Sequence, residues 1–168
     1  SDQGFYLGEH GWFDKRWMYE ESFRTPFLVR WPGTVEPKKT NDTEIVSNLD
    51  FASTFLDIAG AEIPDDLQGR SLLPVWKGVT PNDWRKTHYY HYYESGGHGV
   101  PLHFGVTNGR QKLIRFPEPH LDTWELYDLK TDPQEMESRY DDPAMGEVQA
   151  ELKAELARLQ DRFGVPAE

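Results

Sequence analysis

His103-Phe-Gly-Val-Thr107, Asn108-Gly109 and Arg110-Gln-Lys-Leu-Ile-Arg-Phe116 follow one another without a break. Two short runs containing β-branched and aromatic residues flank an Asn-Gly pair, which suits the positive φ angles of a type I′ turn. The stretch predicts a β-hairpin. Upstream, Thr87-His-Tyr-Tyr-His-Tyr-Tyr93 is aromatic and strand-like, and downstream Trp124-Glu-Leu-Tyr-Asp-Leu129 alternates again. Together these runs predict a small antiparallel sheet.

A helix closes the chain. Asp142 is a natural N-cap, and Pro143 sits where the first helical position tolerates proline. Val148, Leu152, Leu156, Leu159 and Phe163 then recur three or four residues apart, one apolar stripe that needs a partner. Gly164 and Pro166 end it.

The first half has a different texture. Residues 1–25 mix polar, glycine and aromatic residues and predict a long ordered loop with one helical turn near Trp17–Phe23. Pro26-Phe-Leu-Val-Arg-Trp31 predicts a buried strand ended by Pro32-Gly33. Asp50 to Gly60 predicts a helix with Asp50 as its N-cap, Phe51, Phe55, Ile58 and Ala59 as its apolar stripe and Gly60 as its left-handed stop. A strand followed by a helix suggests an α/β layer, yet one strand with no parallel partner cannot complete it. The expected fold class is therefore an incomplete α/β arrangement. Residues 1–80 form the end of a larger α/β domain, and residues 81–168 form an antiparallel sheet packed with a closing helix.

Composition narrows the function. The 168 residues include 23 aromatics and carry a net charge of −11, of which −9 falls after Phe116, where 14 acidic residues face 5 basic ones. That balance argues against nucleic acid or an anionic membrane as the main partner. It places any anion site in the first 116 residues. With no cysteine, there is no disulfide, thiolate metal site or cysteine nucleophile.

Chemistry-bearing residues concentrate at the start. Asp2 and Gln3 offer the hard oxygen ligands that calcium prefers, or simply a turn before Gly4. Lys15, between Asp14 and Arg16, could grip a tetrahedral anion, or belong to an exposed charge run. His10 between glycines is a general-acid candidate or the hydrogen-bonding pivot of a tight loop. His88 and His91 are three apart, which on a strand puts them on opposite faces and argues against joint chelation. His98, in Gly96-Gly97-His98-Gly99, and His103 are candidates for contact with a sugar.

The long ordered run at residues 1–22, its continuation Pro26-Phe-Leu-Val-Arg-Trp-Pro-Gly33, Leu67-Gln-Gly-Arg-Ser-Leu-Leu-Pro74, Trp124–Leu129 and Asp132-Pro133 resemble the C-terminal part of a type I sulfatase of the alkaline phosphatase superfamily. Within that family they are similar to bacterial glycan sulfatases of the N-acetylglucosamine-6-sulfatase kind. The resemblance implies that Asp2 and Gln3 complete a calcium site and that Lys15 contacts the sulfate. It also implies that Asp14 and Arg16 contact sugar hydroxyls and that His98 or His103 joins them. The implied activity is sulfuric ester hydrolysis on a sulfated carbohydrate, with a hydrated formylglycine as nucleophile and a periplasmic or extracellular location.

The Cys/Ser-x-Pro-x-Arg motif from which formylglycine is made does not occur in these residues. The chain alone is therefore expected to be inactive, and no leader is visible. The apolar run at 26–31 is expected to expose a strand edge that pairs with a missing N-terminal part or with another copy. A non-catalytic carbohydrate-binding fragment, and a phosphonate or phosphodiester hydrolase of the same superfamily, are the alternatives.

Overall fold

The computed structural model describes residues 3–95 and 97–166. The chain divides into two compact units: Gln3–Pro26 together with the chain from Thr87 onward, and Phe27–Lys86.

In the first unit, a four-stranded antiparallel sheet runs in the order β3 (His88–Tyr92), β4 (His103–Thr107), β5 (Gln111–Phe116) and β6 (Thr123–Asp128). The expected hairpin is β4–β5, with Thr107 opposite Lys112. Its turn differs from the type I′ expectation: Gly109 has φ 85° but Asn108 is not in the left-handed region. Instead Asn108 Oδ1 accepts from the amides of Arg110 and Gln111, at 3.0 and 2.7 Å. The asparagine thus closes the turn with its side chain, which removes the need for a second positive φ.

Both faces of this sheet are covered. On one face Val106, Leu113 and Leu126 pack against Leu152, Leu156 and Leu159 of the last helix, α4 (Gly146–Phe163). Asp142 caps a single 3₁₀ turn, Pro143–Met145, that leads into α4, and Gly164 ends it with φ 64°. The other face receives the opening segment. Tyr6, Met18 and Tyr19 pack on Ile114, Phe116 and Tyr127. Two-residue strands β1 (Tyr6–Leu7) and β2 (Phe13–Asp14) pair with each other, and the expected helical turn is α1 (Glu20–Phe23). Met18 closes on Gly105 of β4, where an added Cβ would lie 2.8 Å from Met18 Sδ and overlap the Leu113 carbonyl oxygen.

The second unit departs from the sequence reading in three ways. Residues 26–31 are irregular and not a strand, and Leu28 is 93% exposed. Among the described residues no strand pairs with that run, so its apolar side chains have no sheet to join there. The helix α2 (Asp50–Ala59) ends at Gly60 as expected, but Asp50 is its first helical residue and not its N-cap. Asp50 is fully buried, bound by the Arg85 guanidinium and by the amides of Ser47 and Arg70, each at 2.8 Å.

The expected apolar stripe of α2 is only partly used. Phe51 packs against the Leu72, Val75 and Trp84 core that includes α3 (Leu73–Trp76), whereas Phe55 is 66% and Ile58 42% exposed. The buried side of α2 is polar. Ser53 Oγ donates to the Gly69 carbonyl at 2.9 Å, and Thr54 Oγ1 accepts from the Leu72 amide at 2.9 Å. These bonds to the 69–72 backbone fix which face turns inward.

Candidate functional site

The site is built on the loop between β2 and α1. Asp14 ends β2 with a positive φ of 128°. The Asp14 carboxylate and the Arg16 guanidinium form an ion pair, both about three-quarters shielded. The Tyr90 hydroxyl donates to the Arg16 carbonyl at 2.9 Å, anchoring the loop to β3. Lys15 lies between the paired residues, and its ammonium makes no hydrogen bond or ion pair among the described residues. Asp14 thus holds the guanidinium while the lysine charge stays available.

Ser22 of α1 joins the two ends of the expected site. Its hydroxyl donates to the Lys15 carbonyl, and its own carbonyl accepts from the Gly4 amide at 2.7 Å. The Lys15 loop and the Gln3-Gly4 segment are therefore held by one residue. Asp2, the other expected metal ligand, lies outside the described residues.

The two histidines separate. His98 sits on an exposed 3₁₀ turn, Gly97–Gly99, with φ 57°. His103 on β4 is fully buried, stacked on Trp17 at 5.6 Å and on Phe116 at 5.4 Å. Its Nδ1 lies 2.8 Å from the Pro101 carbonyl, an acceptor, so Nδ1 carries the proton and Nε2 is a lone pair with no partner. Burial pushes the His103 pKa down to about 4, which keeps the ring neutral. His10, also in a left-handed conformation, stacks against Trp12 and against Tyr19 and lies 3.4 Å from the Glu21 carboxylate. His88 and His91 project to opposite faces of β3, towards Phe23 and Phe104 respectively.

A buried cation supports the loop from below. Lys112 of β5 is fully buried and places Nζ 2.8 Å from the Met18 carbonyl, 2.8 Å from Glu20 Oε1 and 2.8 Å from Glu135 Oε1. The last is an ion-pair contact without hydrogen-bond alignment. Glu135 Oε2 accepts from the Glu20 amide at 2.6 Å. Burial raises the Glu135 carboxyl above the ordinary range, against the pull of Lys112. Neither Lys112 nor Ser22 was singled out from the sequence. A signal existed for Lys112, which shares strand parity with the buried Ile114 and Phe116. None existed for Ser22.

Among the described residues no three His, Cys, Asp or Glu side chains converge to hold a metal ion. The Gln3 amide oxygen is of the hard type that calcium takes, but one or two such ligands are far fewer than the ion needs.

The fold is shared with solved sulfatase structures, one described as a 2-O GAG sulfatase that superposes with a TM-score of 0.87 at 26% identity, covering 97% of this chain and 35% of that one. A structure solved in complex with its substrate D-glucosamine-2-N,6-O-disulfate superposes with a TM-score of 0.91 and 47% identity, covering 98% of this chain and 33% of that one. An N-acetylglucosamine-6-O-sulfatase of Bacteroides thetaiotaomicron is 48% identical over 166 residues, covering 97% of this chain. A human N-acetylglucosamine-6-sulfatase is 39% identical over 87 residues, 51% of this chain and 15% of that protein. Residues 8–162 match the family described as N-sulphoglucosamine sulphohydrolase, C-terminal, and the chain belongs to it. It spans 29% of the length of the bacterial relative.

Proposed function

We propose that this chain is the sulfate- and sugar-facing C-terminal part of a sulfuric ester hydrolase acting on 6-O-sulfated glucosamine-type sugars. The carrying observation is the Asp14–Arg16 ion pair with Lys15 between them, its ammonium without a partner among the described residues. An ammonium fixed at a loop and freed from local carboxylates suits a tetrahedral sulfate as a point charge. The Asp14 carboxylate retains acceptor capacity for sugar hydroxyls, and Arg16 retains donors. The activity for which the bacterial relative is named and the glucosamine disulfate in the similar structure support this substrate class.

His98 is the histidine placed to reach a sugar, because it is exposed. His103 acts through packing, as a neutral ring behind Trp17. Asp2 and Gln3 would supply two oxygen ligands to a calcium ion whose remaining ligands lie elsewhere in a longer polypeptide. When bound, that ion would stabilise negative charge on the sulfuryl oxygens. The formylglycine nucleophile would likewise come from that longer polypeptide, so these 168 residues alone do not turn over sulfate esters. Location outside the cytoplasm is part of the same reading.

The exposed Leu28, Phe55 and Ile58 are covered, in this reading, by the additional length that the relatives possess. Residues 26–31, which pair with no strand among the described residues, are open to strand addition by that additional length.

A second reading has one observation in its favour. A phosphonate monoester hydrolase from Silicibacter pomeroyi superposes with a TM-score of 0.79 at 26% identity, covering 95% of this chain and 33% of that one. One assay separates the readings. The full-length protein is offered glucosamine 6-sulfate, its other positional sulfates and a phenyl phosphonate monoester, and sulfate or phenol release is followed. Preferential release from the 6-sulfate supports the proposal. Preference for the phosphonate ester would replace it with the second reading, and binding without release would leave a carbohydrate-binding module.

A further inference from the structure

We propose that Ser22 and Lys112 are positioning residues which set the distance between the Lys15 loop and the Gln3-Gly4 segment. This rests on the reading of Lys15 and Gln3 given above. The argument runs from the sheet outward. Lys112 cannot move, because it is wholly buried and its ammonium touches three oxygens. Two of those oxygens, the Met18 carbonyl and Glu20 Oε1, belong to the chain entering α1. The third belongs to Glu135, whose other oxygen accepts from the Glu20 amide. The start of α1 is therefore clamped by a lysine from one strand and a carboxylate from the turn after β6.

α1 has only four residues, too short to be stable by itself. Its place is fixed by this clamp, by Met18 seated on Gly105, and by Phe23 against Tyr90. Ser22, buried on that fixed turn, then holds Lys15 through its hydroxyl and Gly4 through its carbonyl. Gly4 also lies so close to the turn that an added Cβ would overlap the Glu21 carbonyl oxygen. A buried ion cluster is weak evidence of added stability, since apolar residues of equal volume often serve as well. What the apolar replacement would not supply is a grip on a backbone carbonyl and a backbone amide of one loop.

The test uses the full-length protein with Ser22→Ala, and with Lys112→Met combined with Glu135→Gln, a pair that removes both charges together. Hydrogen exchange by mass spectrometry is read over residues 3–24 and over β4 to β6, alongside kcat, KM and melting temperature on glucosamine 6-sulfate. The expected result for the double variant is exchange at least tenfold faster in residues 3–24 with the sheet peptides unchanged. For Ser22→Ala, kcat should fall at least tenfold with KM within about threefold and the melting temperature nearly retained. Unchanged exchange in residues 3–24 would overturn the proposal, as would losses spread evenly over the sheet. If the wild-type protein does not turn over the sugar, the functional reading fails, and the exchange measurement still decides the positioning.

Discussion

Ser22 binds Lys15 and does so without touching its charge: the serine hydroxyl meets the lysine carbonyl, while the ammonium has no partner among the described residues. Backbone capture of this kind fixes where a side chain starts and leaves its end free for a ligand. Such an arrangement suits recognition of an anion, because the charge is not already neutralised by the protein.

Lys15 and Arg16 are expected to divide the work. In the full-length protein, Lys15→Ala removes the charge proposed to meet the sulfate and should raise the kcat barrier by roughly 2–4 kcal/mol, by analogy with loss of an oxyanion donor. Arg16→Ala should chiefly raise KM and flatten the preference among positional sulfates. Steady-state kinetics on 2-, 3-, 4- and 6-sulfated glucosamine separates these outcomes. Equal losses on every sugar for both variants would remove the division.

Gly4→Ala should unseat the opening segment. The new Cβ meets the Glu21 carbonyl oxygen, which is backbone and cannot rotate away. A clash of this type costs about 1–3 kcal/mol. The Gly4–Ser22 hydrogen bond would lengthen in consequence. Chemical denaturation gives the stability change, and exchange at residues 3–7 reports the displacement. Wild-type values for both would show that the segment tolerates a side chain there.

Much of the first unit could be read from residue order. The alternation of β4 to β6, the Asn-Gly turn and the leucine stripe of α4 are short-range signals; the strands survive because each pairs with its sequence neighbour, and the helix because its stripe meets the sheet they form. Asp14, Lys15 and Arg16 were visible as a charged triplet. The support beneath them was not, because Ser22, Lys112 and Glu135 lie far apart in sequence and come to bear on one segment only when that segment packs on the sheet. The failures at Pro26–Trp31 and α2 share a cause. An apolar run or stripe says that a partner is wanted but not whether these residues supply it, and Leu28, Phe55 and Ile58 find none here.

Arg85 should be required for the second unit. Asp50 is fully buried, and the Arg85 guanidinium is its only cationic partner among the described residues. Arg85→Ala leaves two backbone amides on the carboxylate but no positive charge. The expected loss is about 3 kcal/mol, the lower part of the range for a buried pair broken on one side. Urea unfolding of wild type and variant measures it. A loss under about 1 kcal/mol would show that the two amides suffice.

His103 sets a pH dependence whose sign follows from its burial. Its folded pKa is pushed down to about 4 from 6.5 in the unfolded chain. Between those values the unfolded state binds more protons, so stability rises with pH through that window. Above pH 6.5 both states are neutral and the contribution is flat. As pH falls from 6.5 to about 4, the native state progressively loses an amount that reaches about 3 kcal/mol. His103→Phe keeps a ring against Trp17 and Phe116 but cannot take up a proton. It gives up the bond to the Pro101 carbonyl, which lowers stability at neutral pH by roughly 1 kcal/mol. The variant should therefore be less stable than wild type at pH 7.5 and more stable at pH 4.5, with the two curves crossing between. Urea denaturation at half-unit steps from pH 4 to 8 follows both proteins. Parallel curves would mean that the imidazole titrates alike in the folded and unfolded chain, and the ring would then have to be open to water when folded.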